Sequence, residues 1–341
     1  MSMRSALRAL ALGFALVPAA SATQAADKVT IGVVGSSSDV VFYMAQNLGY
    51  FKAQNIEPDF SEFDSAARMI APLGSGALDV GAGAVGAGLY NAVQRGINIK
   101  IVGDKAHCEP GQSYVALLVR KALVESGKFK GLGDLKGRKI ALAGAGTGDS
   151  STLNDALRKG GASGFADADV VYMGFSQQAL AFQNGAIDAS LTAEPSVALI
   201  VATGSAVRYA GVDAISPRQQ TAVLLYGGDF ATTRPDVATR FMKAYILAIR
   251  DYNAALSNGR LVGAKGNAVI KLMQEHMPVK DPAILRAMVP HAVDRDAALN
   301  VAGLEKDHRF FVTAGLASQN VPVANIIDDS FRTRALKEID K

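Results

Sequence analysis

The sequence predicts an α/β protein with two lobes, each holding a duplicated series of strands and helices, around a hinged cleft. Three observations lead to this prediction. The chain has 341 residues, which is more than one hydrophobic core usually serves. Short apolar runs alternate with helical periods along most of it, which is typical of strands joined by helices. A similar pattern of glycine turn and strand also occurs twice.

The first series of strands and helices begins after Asp27. Each apolar run ends in a turn whose Gly, Ser or Asp can begin a helix. Because helices separate the strands, we expect parallel pairing with right-handed crossovers. The predicted strands are 29–34, 56–63, 79–82 and 99–102. The predicted helices are 36–51, a short one capped by Asp64 or Ser65 that ends near 74, and 85–94.

A strand-like apolar run at 114–120 precedes a charged, glycine-rich connection at 121–138, and a second series begins at Lys139. The strands of this series are predicted at 140–143, 169–173, 189–191 and 207–210, with helices at 150–159, at 177–182 and after Pro195. A strand at 221–226 then returns the chain to a mostly helical C-terminal part, which includes a long amphipathic helix at 236–256. We expect these C-terminal helices to pack on the first lobe.

An internal repeat supports the division into two lobes. In both series a glycine stops a short helix and an aspartate then enters a strand, at Gly76 to Val80 and at Gly185 to Ala189. Crossing segments near 112–116 and 211–222 would join the lobes. The predicted domains are an export segment at 1–26, lobe 1 at 27–112 plus 222–341, and lobe 2 at 113–221.

The N-terminus has the features of a cleaved secretory signal peptide. Arg4 and Arg8 precede an apolar stretch at 9–17, and small residues follow at 19–26. The apolar stretch is shorter than the about 20 residues that a membrane span needs. We therefore expect a periplasmic protein.

Composition excludes several function classes. Hydrophobic residues make up 49% and charged residues 19%, so the chain is globular in composition. The net charge of +4 includes Arg4 and Arg8, which leaves +2 after their removal, too little to indicate nucleic-acid binding. Cys108 is the only cysteine, which excludes an internal disulfide, a cysteine metal cluster and a lipid-anchoring cysteine near the signal segment. The four histidines are scattered, so we expect no metal site and no cofactor.

Several scaffold motifs in this order carry a family resemblance. The motifs are Ala45-Gln46-Asn47-Leu48-Gly49-Tyr50-Phe51, Gly76-Ala77-Leu78-Asp79-Val80, Asn91-Ala92-Val93-Gln94-Arg95-Gly96, Leu118-Val119-Arg120, Ser126-Gly127-Lys128-Phe129-Lys130, Asp134-Leu135-Lys136-Gly137-Arg138, Gly185-Ala186-Ile187-Asp188 and Glu194-Pro195. From about 29 to 254 the chain resembles the periplasmic solute-binding proteins of the nitrate/sulfonate/taurine ABC-transporter group. The resemblance implies a two-lobed periplasmic binding protein, a small-molecule ligand and a membrane permease as partner. We expect it to act as a monomer.

Candidate ligand-binding residues lie where strands end and helices begin, because ligands of open α/β sheets bind there and helix N-termini favour anions. Three loops qualify, at 36–39, 83–86 and 146–151. Their hydroxyls could instead serve only as helix caps. The candidates in these loops are Ser36, Ser37, Ser38, Asp39, Val85, Thr147, Gly148, Ser150 and Ser151.

The expected ligand is a small organic acid or zwitterion, similar to a sulfonate or taurine. Asp39, Glu62, Asp149 and Glu194 would oppose a bare dianion, although Asp149 and Glu194 could be caps. An aromatic carboxylate or a thiamine-pyrimidine-like compound is the alternative. Aromatic residues at strand ends could pack on such a ligand or belong to the core. These residues are Phe63, Tyr114, Phe175 and Tyr226.

An enzyme is the competing class. The group includes a thiamine-pyrimidine synthase relative with a cysteine-rich iron motif, which the lone Cys108 does not reproduce. No Gly-x-Ser-x-Gly, His-Glu-x-x-His or phosphate-loop motif is present in the sequence. The sequence therefore favours a binding protein with no catalytic residues, and does not separate import from a sensory role.

Overall fold

Two five-stranded sheets form the centres of two lobes in the computed structural model, which describes residues 25–341. Helices cover both sheets, and the predicted two-lobed α/β fold is confirmed. The predicted signal peptide, with Arg4 and Arg8, lies outside the described residues except for its last two positions. Within 25–341, none of the helices has the length and apolar character that a membrane crossing requires.

The elements alternate along the chain much as the sequence predicts. The strands are β1 (Asp27–Val33), β2 (Ile56–Glu62), β3 (Val80–Gly83), β4 (Ile99–His107), β5 (Val115–Arg120), β6 (Lys139–Leu142), β7 (Asp169–Tyr172), β8 (Ala189–Ala193), β9 (Ala206–Gly211), β10 (Gln220–Gly227), β11 (Leu256–Ser257) and β12 (Arg260–Leu261). The α-helices are α1 (Val40–Asn47), α2 (Tyr50–Ala53), α3 (Ile70–Ser75), α4 (Ala87–Gln94), α5 (Lys121–Glu125), α6 (Gly148–Lys159), α7 (Phe175–Gln183), α8 (Ser196–Ala202), α9 (Val212–Ile215), α10 (Gly228–Thr233), α11 (Pro235–Ala254), α12 (Gly263–His276), α13 (Pro282–Ala287), α14 (Val301–Thr313), α15 (Val323–Ile326) and α16 (Ser330–Ile339). Short 3-10 helices occupy Ser37–Asp39, Ala66–Met69, Leu132–Leu135 and Phe165–Asp167.

The two sheets have matching strand orders, β2-β1-β3-β10-β4 in lobe 1 and β7-β6-β8-β5-β9 in lobe 2. Strands β1, β2 and β3 of lobe 1 and β6, β7 and β8 of lobe 2 pair in parallel, as expected for strands separated by helices, but one strand in each sheet runs antiparallel to both of its neighbours. Strand β10 runs antiparallel to β3 and β4, and β5 runs antiparallel to β8 and β9. Both exceptions are the strands that enter a lobe directly from a crossing segment, so no crossover helix reverses their direction.

The internal repeat occupies equivalent places in the two lobes. Asp79 accepts a hydrogen bond from the Thr30 N–H and pairs with Arg234, while Asp188 accepts one from the Lys139 N–H and pairs with Arg120. Each aspartate therefore ties the entry of a central strand to its parallel neighbour. The repeated sequence pattern therefore has the same structural role in both lobes.

The longest helix, α11, packs its apolar face on the lobe 1 core. Phe42 of α1 lies 5.2 Å from Tyr245 of α11 between ring centroids, and both rings are fully buried. Helix α16 also packs against α11. The C-terminal helices pack on the first lobe as expected, but α14 additionally contacts α6 of lobe 2.

Three predicted boundaries change. The helix predicted at 36–51 is divided into a 3-10 turn, α1 and α2, and Gly49, with a left-handed φ of 77°, separates α1 from α2. Strand β4 continues to His107, beyond the predicted end at 102. The short helix after β2 begins at Ala66, and its N-cap residue Ser65 makes no side-chain cap hydrogen bond.

Candidate functional site

The lobes meet through backbone hydrogen bonds between loops at the carboxyl ends of their strands. The Ala87 N–H donates to the Gly146 carbonyl over 2.8 Å, and the Gly148 N–H donates to the Val85 carbonyl over 3.0 Å. A Cβ atom at Gly86 would lie 2.8 Å from the Gly146 oxygen, so only glycine permits this approach. The predicted loops at 83–86 and 146–151 therefore face each other, with the Val85 backbone bound to lobe 2.

The loop at 36–39 faces lobe 2 as well. The Ser37 N–H donates to the Glu194 carbonyl over 2.6 Å. Asp39 accepts a hydrogen bond from the Ser36 N–H over 2.9 Å, which closes the first turn of the helix. Ser36, Ser37, Ser38 and Asp39 are all buried, and the Ser37 hydroxyl has no hydrogen-bond partner among the described residues.

Asp39 is not an uncompensated carboxylate, which corrects the expectation from sequence. The Lys105 ammonium lies 2.6 Å from the Asp39 carboxylate and donates to the Ser38 hydroxyl over 2.9 Å. Both charged side chains are almost completely buried. Sequence reasoning missed Lys105 because strand β4 was predicted to end before it. The signal was a pair of opposite charges, Asp104 and Lys105, directly after an apolar strand.

Tyr114 lies at the crossing between the lobes, as predicted, and is buried. Burial raises the pKa of its hydroxyl, the nearby Thr221 and Ser38 hydroxyls lower it, and Asp149 raises it. The ring makes an edge contact with His291 at 5.8 Å. Tyr114 thus lies close to Ser38 of lobe 1 and within electrostatic range of Asp149 of lobe 2.

The N-terminal turn of α6 holds the other predicted hydroxyls. Thr147 precedes the helix, and the buried Ser150 hydroxyl has no hydrogen-bond partner among residues 25–341. Asp149 makes no cap hydrogen bond, contrary to its expected role. Burial raises the pKa of Asp149 to about 6. Within residues 25–341, this turn therefore holds the unpartnered Ser150 hydroxyl beside a carboxyl group of raised pKa.

A carboxyl group from α14 also reaches this turn. Asp307 is buried and accepts a hydrogen bond from the Gln219 amide over 2.5 Å, and its other oxygen has no partner among the described residues. Burial raises the pKa of Asp307 to about 7, against the lowering effects of Gln219 and of the Ser151 hydroxyl. The Ser151 hydroxyl therefore lies within reach of the Asp307 carboxyl group. Nothing in the sequence pattern of α14 indicated this contact.

Glu194 binds protein groups rather than facing open space. Its carboxylate accepts the Ala198 N–H over 2.9 Å and the Val289 N–H over 3.0 Å, and lies 3.4 Å from the Arg208 guanidinium. The Ala198 contact is the capping role considered from sequence. Val289 follows α13 of lobe 1, so this carboxylate also links the two lobes. Its expected role as a ligand contact is corrected by these partners, which leave it no uncompensated charge.

An open pocket of about 450 Å³ lies at one end of the interface between the lobes. It contains three predicted residues, Glu62 and Phe63 from lobe 1 and Phe175 from lobe 2. Sequence reasoning missed Arg68, which is exposed and forms no ion pair among the described residues. The remaining lining residues are Val34, Asp64, Gly174, Ser176 and Gln177.

Tyr226 does not reach the cleft, contrary to the prediction. Its ring is fully buried in the lobe 1 core between Phe230, Phe241 and Phe331. Its hydroxyl donates to the Ala238 carbonyl over 2.9 Å. The strand end was correctly predicted, but the side chain points to the helices that cover the sheet.

The pocket combines the groups that a small organic ion needs. The Arg68 guanidinium and the N-terminus of α7 suit an acid group, Phe63 and Phe175 suit an apolar body, and Glu62 suits a donor or cation. No group of three or more His, Cys, Asp or Glu side chains within 25–341 is arranged to hold a metal ion.

Solved structures of several proteins share this fold. The alkanesulfonate-binding protein SsuA of Xanthomonas axonopodis pv. citri, bound to MOPS, is 18% identical and aligns over 89% of this chain and 98% of its own, with a TM-score of 0.67. The nitrate-binding protein NrtA of Synechocystis PCC 6803 is 11% identical over 92% and 89%, with a TM-score of 0.75. The desulfurization enzyme DSZB is 16% identical over 92% and 99%, with a TM-score of 0.58.

The family comparison covers most of both lobes. No curated protein matches the chain significantly. The profile of the family described as NMT1/THI5 like matches residues 38–254. This match runs from the loop after β1 to the end of α11, and confirms the resemblance to the nitrate and sulfonate binding-protein group inferred from the scaffold motifs. The chain belongs to the NMT1/THI5-like family.

Proposed function

We propose that this chain is the extracytoplasmic solute-binding component of an ABC importer and captures a small organic acid or zwitterion between its lobes. The observation that carries the proposal is the pocket of about 450 Å³, to which both lobes contribute. Its volume falls within the range of about 300 to 1,000 Å³ that is common for small-molecule sites. The two binding proteins named above, which take an alkanesulfonate and nitrate, support the same class.

The charges of the pocket favour an organic ion over a bare inorganic anion. Arg68 forms no ion pair within the described part of the chain, while Glu62 and Asp64 are acidic groups on the same wall. A molecule with one acid group and one amine, such as an aminosulfonate, satisfies both kinds of group. Asp39 and Glu194 have protein partners, so the preference for a zwitterion over an inorganic anion depends on fewer carboxylates than the sequence suggested. An aromatic carboxylate or a pyrimidine-like compound that packs on Phe63 and Phe175 is the alternative ligand.

The chain's place in transport follows from the same proposal. The N-terminal signal pattern supports export to the periplasm, and the importer permease is the expected partner. The lobe boundaries at 112/113 and 221/222 are part of the proposal, and β5 to β9 form the second sheet between them. We propose a monomer.

We propose binding without turnover, although an enzyme shares this fold. The only cysteine, Cys108, is buried at the crossing between the lobes, with its sulfur 3.3 Å from the Ser113 hydroxyl. Burial raises its pKa to about 12. Because the thiolate is the reactive form of cysteine, this residue is a poor nucleophile at neutral pH.

Calorimetry with taurine and with its deaminated analogue ethanesulfonate tests the proposal. Arg68→Gln should weaken both ligands by about tenfold or more, since it removes a charge-assisted contact to the shared sulfonate. Glu62→Gln should weaken taurine more than ethanesulfonate. Sulfate or nitrate binding tighter than every organic acid or zwitterion tested would contradict the ligand class, and equal effects of Glu62→Gln on both sulfonates would contradict the role of Glu62.

A further inference from the structure

A second groove lies between the lobes, away from the pocket described above. Its volume is about 550 Å³, and it shares no residue with the first pocket. One wall comes from α6 and the turn at 163–166 of lobe 2, and the other from α14 and the residues after it. Because each wall belongs to a different lobe, a molecule in this groove contacts both.

Two arginines at this groove have no acidic partner. Arg158 of α6 and Arg309 of α14 both line it, both are exposed, and neither forms an ion pair within the described residues. Among the described residues, no aspartate or glutamate lines the groove, while the Asp167 carboxylate accepts a hydrogen bond from the N–H of the lining residue Ser163 over 2.6 Å. Two guanidinium groups that form no ion pair attract an anion, and the planar fork of arginine suits carboxylates and sulfonates.

The rest of the groove is mainly apolar and aromatic. Phe165 of lobe 2 meets Phe310 of α14 edge to face, with 6.0 Å between ring centroids. The Phe165 N–H is held by the Asn154 side chain over 3.1 Å, which fixes the turn that carries this ring. Leu316 adds an exposed apolar side chain. Such a surface suits the hydrocarbon part of an organic anion rather than an inorganic ion.

We propose that this groove is an accessory binding site for an organic anion with an aromatic or aliphatic body. Its acid group lies between Arg158 and Arg309, and its apolar body lies on Phe165 and Phe310. Because the occupant contacts both lobes, it favours the arrangement of lobes described here over a more open one. This site is separate from the ligand pocket and does not depend on the proposed transport function.

The test is isothermal titration calorimetry, in which 2-naphthalenesulfonate is added to the full chain. The double variant Arg158→Gln with Arg309→Gln should bind this probe at least tenfold more weakly than the unchanged protein. Arg95→Gln removes an exposed arginine at the end of α4 and should leave the affinity within about twofold. The neutral analogue 2-naphthalenemethanol should bind more weakly than the sulfonate to the unchanged protein.

The same titrations in an Arg68→Gln background separate the two sites. Removing the Arg68 charge from the first pocket should leave unchanged the loss of affinity for 2-naphthalenesulfonate that the double variant causes. This expectation holds whatever ligand the first pocket binds. The proposal is overturned if the unchanged protein does not bind 2-naphthalenesulfonate, or if the double variant binds it as tightly as the control. It is also overturned if the Arg68→Gln background abolishes all binding of the probe.

Discussion

Two buried charges near the junction of the lobes are paired with each other inside the protein. Lys105 and Asp39 illustrate this at the scale of single residues, because their charged groups lie 2.6 Å apart and almost no part of either side chain is exposed. A more exposed pair, Lys243 with Glu338 at 3.3 Å, offers a contrast, since these side chains are 23% and 45% exposed. A buried charge that loses its partner keeps its desolvation cost, whereas an exposed one regains water.

Lys105→Met should therefore lower the free energy of unfolding by about 3 to 5 kcal/mol, because it leaves the Asp39 carboxylate buried without a cation. Lys243→Met, the matched control, should change it by no more than about 1 kcal/mol. Urea denaturation followed by circular dichroism measures both. Adding Asp39→Asn to Lys105→Met should recover part of the loss. Equal losses of unfolding free energy for Lys105→Met and Lys243→Met would show that the buried pair contributes no more to stability than the exposed pair.

At the scale of elements, α14 docks on the N-terminal turn of α6 through a buried carboxyl group. Asp307 lies beside Gly148 and receives a hydrogen bond from Gln219, which belongs to the second crossing segment. The charged groups around it include Lys306 and, on α6, Asp155. One side chain therefore connects the C-terminal helices, a crossing segment and lobe 2.

The raised pKa of Asp307 predicts that the stability of the protein depends on pH. Burial raises its pKa from 3.8 to about 7, so the folded protein binds this proton more tightly than the unfolded chain. Its contribution is complete below about pH 4 and is lost as the pH rises to about 7, by at most about 1.4 kcal/mol for each pH unit. Asp307→Asn should remove this fall from the pH profile of the unfolding free energy. An unchanged slope between about pH 4 and 7 would rule out a titrating Asp307.

At the scale of the whole molecule, the contact between the lobes depends on close backbone approach. Gly86 faces the Gly146 carbonyl, and a Cβ atom there would lie only 2.8 Å from the oxygen. Gly88, two residues along, would place a Cβ atom in open space. The two positions form a matched pair, because the same added methyl group meets lobe 2 in one case and nothing in the other.

Gly86→Ala should weaken ligand binding by about tenfold or more, since overpacking by one methyl group against backbone typically costs about 1 to 3 kcal/mol. Gly88→Ala should leave the affinity unchanged. Small-angle X-ray scattering of the ligand-bound proteins should give a larger radius of gyration for Gly86→Ala alone. Identical scattering and affinity for both variants would show that the lobes do not need this approach to hold a ligand.

The sequence by itself determined most of the strands and helices, because these depend on local patterns. Alternating apolar runs, glycine stops and the repeated aspartates Asp79 and Asp188 lie within a few residues of the elements they specify. The order of scaffold motifs also identified the family. Among the site residues, Phe63 and Phe175 were found because each stands at the end of a strand, and the two strands occupy matching edges of the two sheets.

Only the tertiary structure decided which polar groups have partners. Lys105 and Ser38 are 67 residues apart in sequence, Glu194 and Val289 are 95 apart, and Gln219 and Asp307 are 88 apart. No local pattern shows that such residues meet, so Asp39 and Glu194 looked uncompensated. The direction of Tyr226 was decided in the same way, by helices that come later in the chain. A charged or aromatic side chain at a strand end is thus visible in the sequence, whereas its contacts depend on how distant segments pack.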